Sequence, residues 1–235
     1  MLARLLRSIR SRGISLTLQR ALTYHRHYLY EECPRIASLL FQVRRAFERL
    51  RGMRSEGIVE LKDLTVIGSN RAHSSRYEPT RARVFLNILR SLEINYPEWV
   101  FADLGSGMGR TLLLAAQFPF HEVVGVEFAV ELHEIAVRNV RRFATRRRAC
   151  SRIVPVCADA AEWELPRGKT LIYLYNPFDE KVMTQVVANI ERALRQHARD
   201  VQVIYVSPQH HEVFERSSML RSVRSTDLYA VYRYP

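Results

Sequence analysis

The stretch WVFADLGSGMGRT, residues 99–111, decides the reading of this chain. Its first half, Trp99 to Leu104, is an unbroken apolar run apart from Asp103, the pattern of a strand buried on both faces. Its second half sets Gly105, Gly107 and Gly109 at alternate positions and then enters a helical pattern from Arg110 to Phe118, which Pro119 closes. Strand, glycine turn and helix form the setting in which a nucleotide-type loop works. Glycine lets the backbone turn sharply and approach a ligand that a side chain would exclude. A dinucleotide loop is spaced G-x-G-x-x-G to bring a pyrophosphate onto the helix N-terminus. Here the spacing is G-x-G-x-G, and Asp103 stands at the strand end. A carboxylate there opposes a phosphate and suits the ammonium of a bound amino acid.

Outward from this loop, helices and apolar strands alternate. Ala82, Phe85, Ile88, Leu89 and Leu92 mark a helix before it. After it come a strand at Glu122–Glu127, a helix from Val130 to about Phe143, and strands at Ile153–Cys157 and Thr170–Tyr175. A long helix capped by Asp179 turns Val182, Val186, Val187, Ile190 and Leu194 inward; strands at Val201–Val206 and Leu228–Tyr234 follow, the last read as antiparallel. This alternation implies a Rossmann-like α/β fold, a mostly parallel sheet with helices on both faces, spanning residues 80–235. In such sheets ligands bind beyond the carboxyl ends of the strands. Glu127 ends the second strand, where an acid accepts both hydroxyls of a ribose, and Asp159 follows the third, where it can accept from an adenine amino group. A glycine turn alone can be only a turn, and a strand-end acid only a helix cap. Three acids after three successive strands favour the ligand reading.

The excess charge sits elsewhere. Residues 1–54 hold twelve arginines and three acids, +9 of the chain's +12, which leaves +3 for the rest. Arginine outnumbers lysine 33 to 3, so the sign of the charge is informative and the choice of arginine less so. Residues 1–51 read as a basic helical extension and 52–79, with Gly52, Gly57, Gly68 and Pro79, as an irregular connector. In residues 2–12, Leu2, Leu5, Leu6 and Ile9 form an apolar stripe with Arg4, Arg7, Arg10 and Arg12 outside it, a pattern that can lie on an anionic membrane surface. Packing on the catalytic domain accounts for the same stripe, and a nucleic-acid contact is the weaker reading because no aromatic precedes Tyr24. No apolar run is long enough to span a bilayer, and arginines interrupt the start where a secretory signal is apolar. With three cysteines and no CxxC pair, the expectation is a cytoplasmic protein, with peripheral binding at the inner membrane face as an option. Adjacent residues point apart, so His210 and His211 are read as loop residues and no metal is expected. Arg141, Arg142 and Arg146–Arg148 read as the solvated end of a helix.

From Tyr77 to Pro208 the chain resembles class I S-adenosylmethionine-dependent methyltransferases. The resemblance implies a seven-stranded sheet and S-adenosylmethionine as cofactor. It implies that Asp103, Gly105, Gly107 and Gly109, with Ser106 and Arg110 in the same loop, hold the methionine part. Glu127 with Phe128 would hold the ribose, and Asp159 with Ala160 the adenine. The segment Tyr77-Glu78-Pro79-Thr80 upstream of the loop is similar to one in the non-SET histone lysine methyltransferases, where it also covers the cofactor; Tyr77 and Thr80 therefore join the candidates. The set of motifs, including Tyr175-Asn176-Pro177-Phe178, is closer still to a group of bacterial methyltransferase-like proteins.

That last segment resembles the D/N-P-P-Y/F motif of amino-group methyltransferases, with one proline missing. Methyl transfer is an in-line displacement that needs the nucleophile about 3–3.5 Å from the methyl carbon. The Asn176 side-chain carbonyl and a backbone carbonyl can accept N–H bonds and aim an amine lone pair. A lysine must first lose a proton from a group of pKa about 10.4, which a desolvated aromatic slot assists. Asn176, Pro177, Phe178 and Tyr77 are thus the catalytic candidates, Asn176 also touching the cofactor. The expected function is methylation of a protein lysine or other amine. Methylation of a small molecule or lipid at a membrane surface, and a cofactor-binding module without catalysis, are the alternatives.

Overall fold

The computed structural model describes residues 64–67, 79–143, 148–196 and 198–234. The basic segment 1–51, most of the connector, Tyr77, Arg146 and Arg147 lie outside the described residues.

Seven strands form one sheet: β1 Trp99–Leu104, β2 Glu122–Glu127, β3 Ile153–Cys157, β4 Gly168–Tyr175, β5 Ala198–Val206, β6 Arg221–Ser225 and β7 Tyr229–Arg233. Their order is β3-β2-β1-β4-β5-β7-β6. The strands β1 to β5 pair parallel and β7 runs antiparallel beside β5. The strand order reverses between β1 and β4, where Asp103 is in register with Gly125 of β2 and Tyr173 of β4. This switch point is where parallel sheets open a crevice at the carboxyl ends of their strands.

The helices are α1 Ala82–Arg90, α2 Arg110–Ala115, α3 Val130–Arg142, α4 Glu180–Gln196 and α5 His211–Glu215. Phe85, Ile88, Leu89, Leu112, Ala115 and Ala116 pack against Phe101, Val123, Leu171, Tyr173 and Ile204 on one face of the sheet. Val182, Met183, Val186, Val187, Ile190 and Leu194 of α4 pack against Leu104, Val126, Ile172, Leu174, Val203 and Tyr205 on the other. Each such side chain contributes about 1.5–3 kcal/mol on burial, so packing outweighs the Asp179 cap, worth about 1 kcal/mol, whose carboxylate accepts from the Val182 N–H at 3.1 Å.

Two elements depart from the sequence expectation. His211 begins the short helix α5, whose Val213 and Phe214 are buried, so it is no loop residue. The connector carries a built contact: Val66 bridges Ala129 antiparallel, and the Glu131 carboxylate accepts the Thr65 N–H at 2.9 and 3.1 Å. Leu64 is buried there against Met108, Ala129 and Leu132.

Candidate functional site

The glycine loop is held from several sides. The N–H groups of Gly105 and Ser106 both donate to the Val126 carbonyl, at 2.9 and 3.0 Å, which bends the chain sharply off β1. Gly105 and Gly109 have φ of +89° and +76°, in the left-handed region open to glycine. A Cβ on Gly105 would stand 2.7 Å from the Pro177 Cβ, and one on Gly109 would stand 2.9 Å from the Ala136 Cβ. The loop is therefore wedged between the segment after β4 and helix α3. Asn139 of α3 adds a bond from its amide to the Met108 carbonyl at 2.9 Å.

Two carboxylates flank the loop. Asp103 and Glu127 are 3% and 5% exposed, and neither makes an ion pair among the described residues. Asp103 accepts from the Thr111 hydroxyl, and its other oxygen has no partner among the described residues. Glu127 accepts from the Gly107 N–H at 2.7 Å and the Ala129 N–H at 2.9 Å. Burial pushes the Asp103 pKa up to about 7 against the pull of Thr111, with Glu127 adding repulsion. Burial pushes Glu127 up to about 7 as well, against the backbone donors Ala129, Gly107 and Phe128. A carboxylate has about four acceptor positions, so Glu127, with three backbone donors, keeps capacity for one more.

Beside the loop lies a recess open to solvent, walled by Gly105, Phe128, Ala158, Asp159, Ala160 and Phe178. Two aromatic rings, small residues and one acid make a slot for a flat heterocycle with an amino group. Asp159 is buried and accepts from the Ala161 N–H at 2.9 Å, so it also caps the turn after β3.

Other candidates are engaged within the protein. The Ser106 hydroxyl faces Gly125 of β2, 2.8 Å from where a Cβ would stand, and has no hydrogen-bond partner among the described residues. The Thr80 hydroxyl lies 3.4 Å from that of Tyr173, and the Arg110 Nε donates to the Thr80 carbonyl at 3.0 Å. Together these tie the segment before α1 to the start of α2. Phe178 is buried in the wall of the recess it shares with Asp159 and Ala160. Asn176 follows β4 with a φ of +42°, a conformation asparagine tolerates better than most residues, and its Oδ1 accepts from the Tyr205 hydroxyl at 3.3 Å. Tyr77 lies outside the described residues.

Thr111, Asn139, Glu131 and Tyr205 were not singled out from the sequence. Asn139 had a readable signal, an amide among apolar neighbours on the inward face of a helix. Tyr205 had none, since an aromatic in a buried strand reads as core.

A family profile described as Histone methylation protein DOT1 matches residues 70–151. Trans-aconitate 2-methyltransferase of Methylobacterium radiotolerans is 33% identical over 105 residues, 44% of this chain and 36% of that protein. The chain thus spans about a third of the length of that relative. Among solved structures, a candidate methyltransferase of Escherichia coli superposes with a TM-score of 0.50 at 13% identity, covering 76% of this chain and 98% of that one. A predicted N6-adenine-specific DNA methylase of Listeria monocytogenes gives 0.50 at 14% identity, over 67% of this chain and 51% of that one. The fold is the Rossmann-like methyltransferase fold. Its sheet order and antiparallel β7 are those described above. Among the described residues no helix is long and apolar enough to cross a membrane, and no cluster of His, Cys, Asp or Glu is arranged to hold a metal ion.

Proposed function

We propose that the chain is an S-adenosylmethionine-dependent methyltransferase. The observation that carries this reading is the pair of buried carboxylates, Asp103 and Glu127, flanking a left-handed glycine loop with no cation of their own among the described residues. Buried anions without partners are costly, and a ligand that brings an ammonium and two ribose hydroxyls relieves both. The residues fit that cofactor. Asp103 keeps one oxygen for the ammonium, and Glu127 keeps capacity for a hydroxyl. Phe128, Asp159, Ala160 and Phe178 are the residues of the recess that would hold the adenine. When bound, the cofactor supplies an electrophilic methyl on a sulfonium.

Pro177 rests against Gly105, which puts Asn176 on the rim beside the loop, where an acceptor would enter. The amine acceptor expected from the sequence is supported by the match to the histone methylation profile. The name of the Methylobacterium relative points instead to a carboxylic acid. The stripe in residues 2–12 remains our basis for proposing contact with an anionic membrane face.

Calorimetric titration tests the cofactor reading. Heat is expected with S-adenosylmethionine and S-adenosylhomocysteine and none with NAD. Binding of the dinucleotide alone would reverse the assignment.

A further inference from the structure

We propose that the methyl acceptor is a carboxylate, oriented by the Asn176 side-chain NH2, with Tyr205 as the positioning residue that turns the amide that way. The inference rests on the methyltransferase reading above and names its substrate class.

An asparagine amide has an accepting end and a donating end, and the protein takes one of them. The Tyr205 hydroxyl lies 3.3 Å from Asn176 Oδ1. Its oxygen receives the His210 N–H at 3.2 Å. A phenol oxygen has two accepting positions and one proton. One accepting position is turned to a backbone N–H, and the proton is directed at Asn176, where only the amide carbonyl can receive it. A flipped amide would set two donors against each other.

The other end of the amide is therefore left for the acceptor. The Asn176 NH2 has no partner among the described residues, the residue is half-buried, and its nitrogen is not among the buried polar atoms lacking a partner. Asn176 stands just beyond the carboxyl end of β4, one residue before the proline that touches the glycine loop.

A donor at that position selects an acceptor with lone pairs to spare. An amine would need an accepting group to aim it, and as an ammonium of pKa about 10.4 it would need a base. Tyr205 cannot serve as that base: its proton is committed, and burial holds its pKa above the ordinary phenol value. A carboxylate arrives deprotonated. One oxygen accepts the Asn176 N–H, and a lone pair of the other forms the bond to the methyl carbon. The carbon–sulfur bond breaks with its electron pair staying on sulfur. The products are a methyl ester and a neutral thioether, and no proton moves.

The chemistry of the label tests this. The full chain is incubated with methyl-tritiated S-adenosylmethionine and glutarate, tricarballylate, n-butylamine or a cell extract, and the products are treated with alkali. Methyl esters release volatile methanol and N-methyl groups do not. Alkali-labile label supports the proposal, and label recovered as methylamine or methyl-lysine overturns it. Absence of label in every fraction, with cofactor binding intact, overturns the catalytic reading beneath it. A second readout needs no turnover. With S-adenosylhomocysteine bound, the Asn176 side-chain 15N–H2 signals, identified by their loss in Asn176→Asp, should shift with glutarate and stay fixed with n-butylamine; the opposite response overturns the proposal. Tyr205→Phe should lower kcat about tenfold and weaken the glutarate response, with S-adenosylhomocysteine affinity unchanged. Unchanged kcat together with an unchanged response removes Tyr205 from the assignment.

Discussion

Replacing Gly105 with alanine puts two separable costs on the glycine loop. The backbone there has a φ of +89°, and forcing an L-residue into it costs about 1–2 kcal/mol. The new methyl would also stand 2.7 Å from the Pro177 Cβ, a ring atom that cannot swing aside. Overpacking of this kind costs about 1–3 kcal/mol more, for a total of about 2–5 kcal/mol. Gly168 supplies the control, because its φ is +105° and nothing lies within 4 Å of an added Cβ. Gly168→Ala should therefore show the backbone cost alone. Urea denaturation of the two variants reads the difference, and in a chain of this size each kcal/mol also moves Tm by roughly 2–4 °C. In a Pro177→Gly background, which removes the opposing Cβ, the further cost of Gly105→Ala should fall to that of Gly168→Ala. An equal cost with and without the Pro177 ring would falsify the claim that the loop bears on the segment after β4.

Further outcomes are expected. Glu127→Ala should weaken S-adenosylhomocysteine binding by about 1.5–3 kcal/mol in a calorimetric titration, through loss of charged hydrogen bonds to the ribose. Asp103 and Glu127, raised to about 7, bind protons more tightly folded than unfolded, so their contribution to stability declines as pH rises from about 4 to 7. The bound ammonium favours the ionised carboxylates, so cofactor binding at about pH 6.5 should release protons; identical apparent enthalpies in phosphate and Tris would count against this. Thr111→Val removes the hydroxyl donor to Asp103 and should cost about 1–3 kcal/mol in denaturant titrations. Deleting residues 1–12 should reduce co-sedimentation with anionic vesicles at low salt while cofactor binding persists; equal sedimentation would leave the stripe a packing feature.

The central parallel strands were legible because burial on both faces leaves apolar runs, as in Trp99–Leu104 and Val201–Val206. The strand β6 was not. Its sequence, Arg221-Ser-Val-Arg-Ser225, is exposed throughout, and it exists because β7 offers a partner on one side. The acids Asp103, Glu127 and Asp159 could be read because topology puts strand ends at the site. The roles of Ser106 and Thr80 could not, since which way a hydroxyl turns depends on Gly125 and Tyr173, far off in sequence. The orientation of the Asn176 amide was equally hidden, being set by a phenol 29 residues away.

The wedging of the glycine loop bears on how the site could be remodelled for bulkier cofactor analogues. Room cannot come from the loop, which is pinned between the Pro177 ring and the Ala136 methyl. The opposite wall is built from side chains, and shortening Phe178 or Val182 enlarges the recess without moving backbone. With the cofactor placed as proposed, an analogue enlarged on its adenine is the kind this scaffold can be recut to accept. One enlarged along its methionine portion would press on the one part of the site that has nowhere to go.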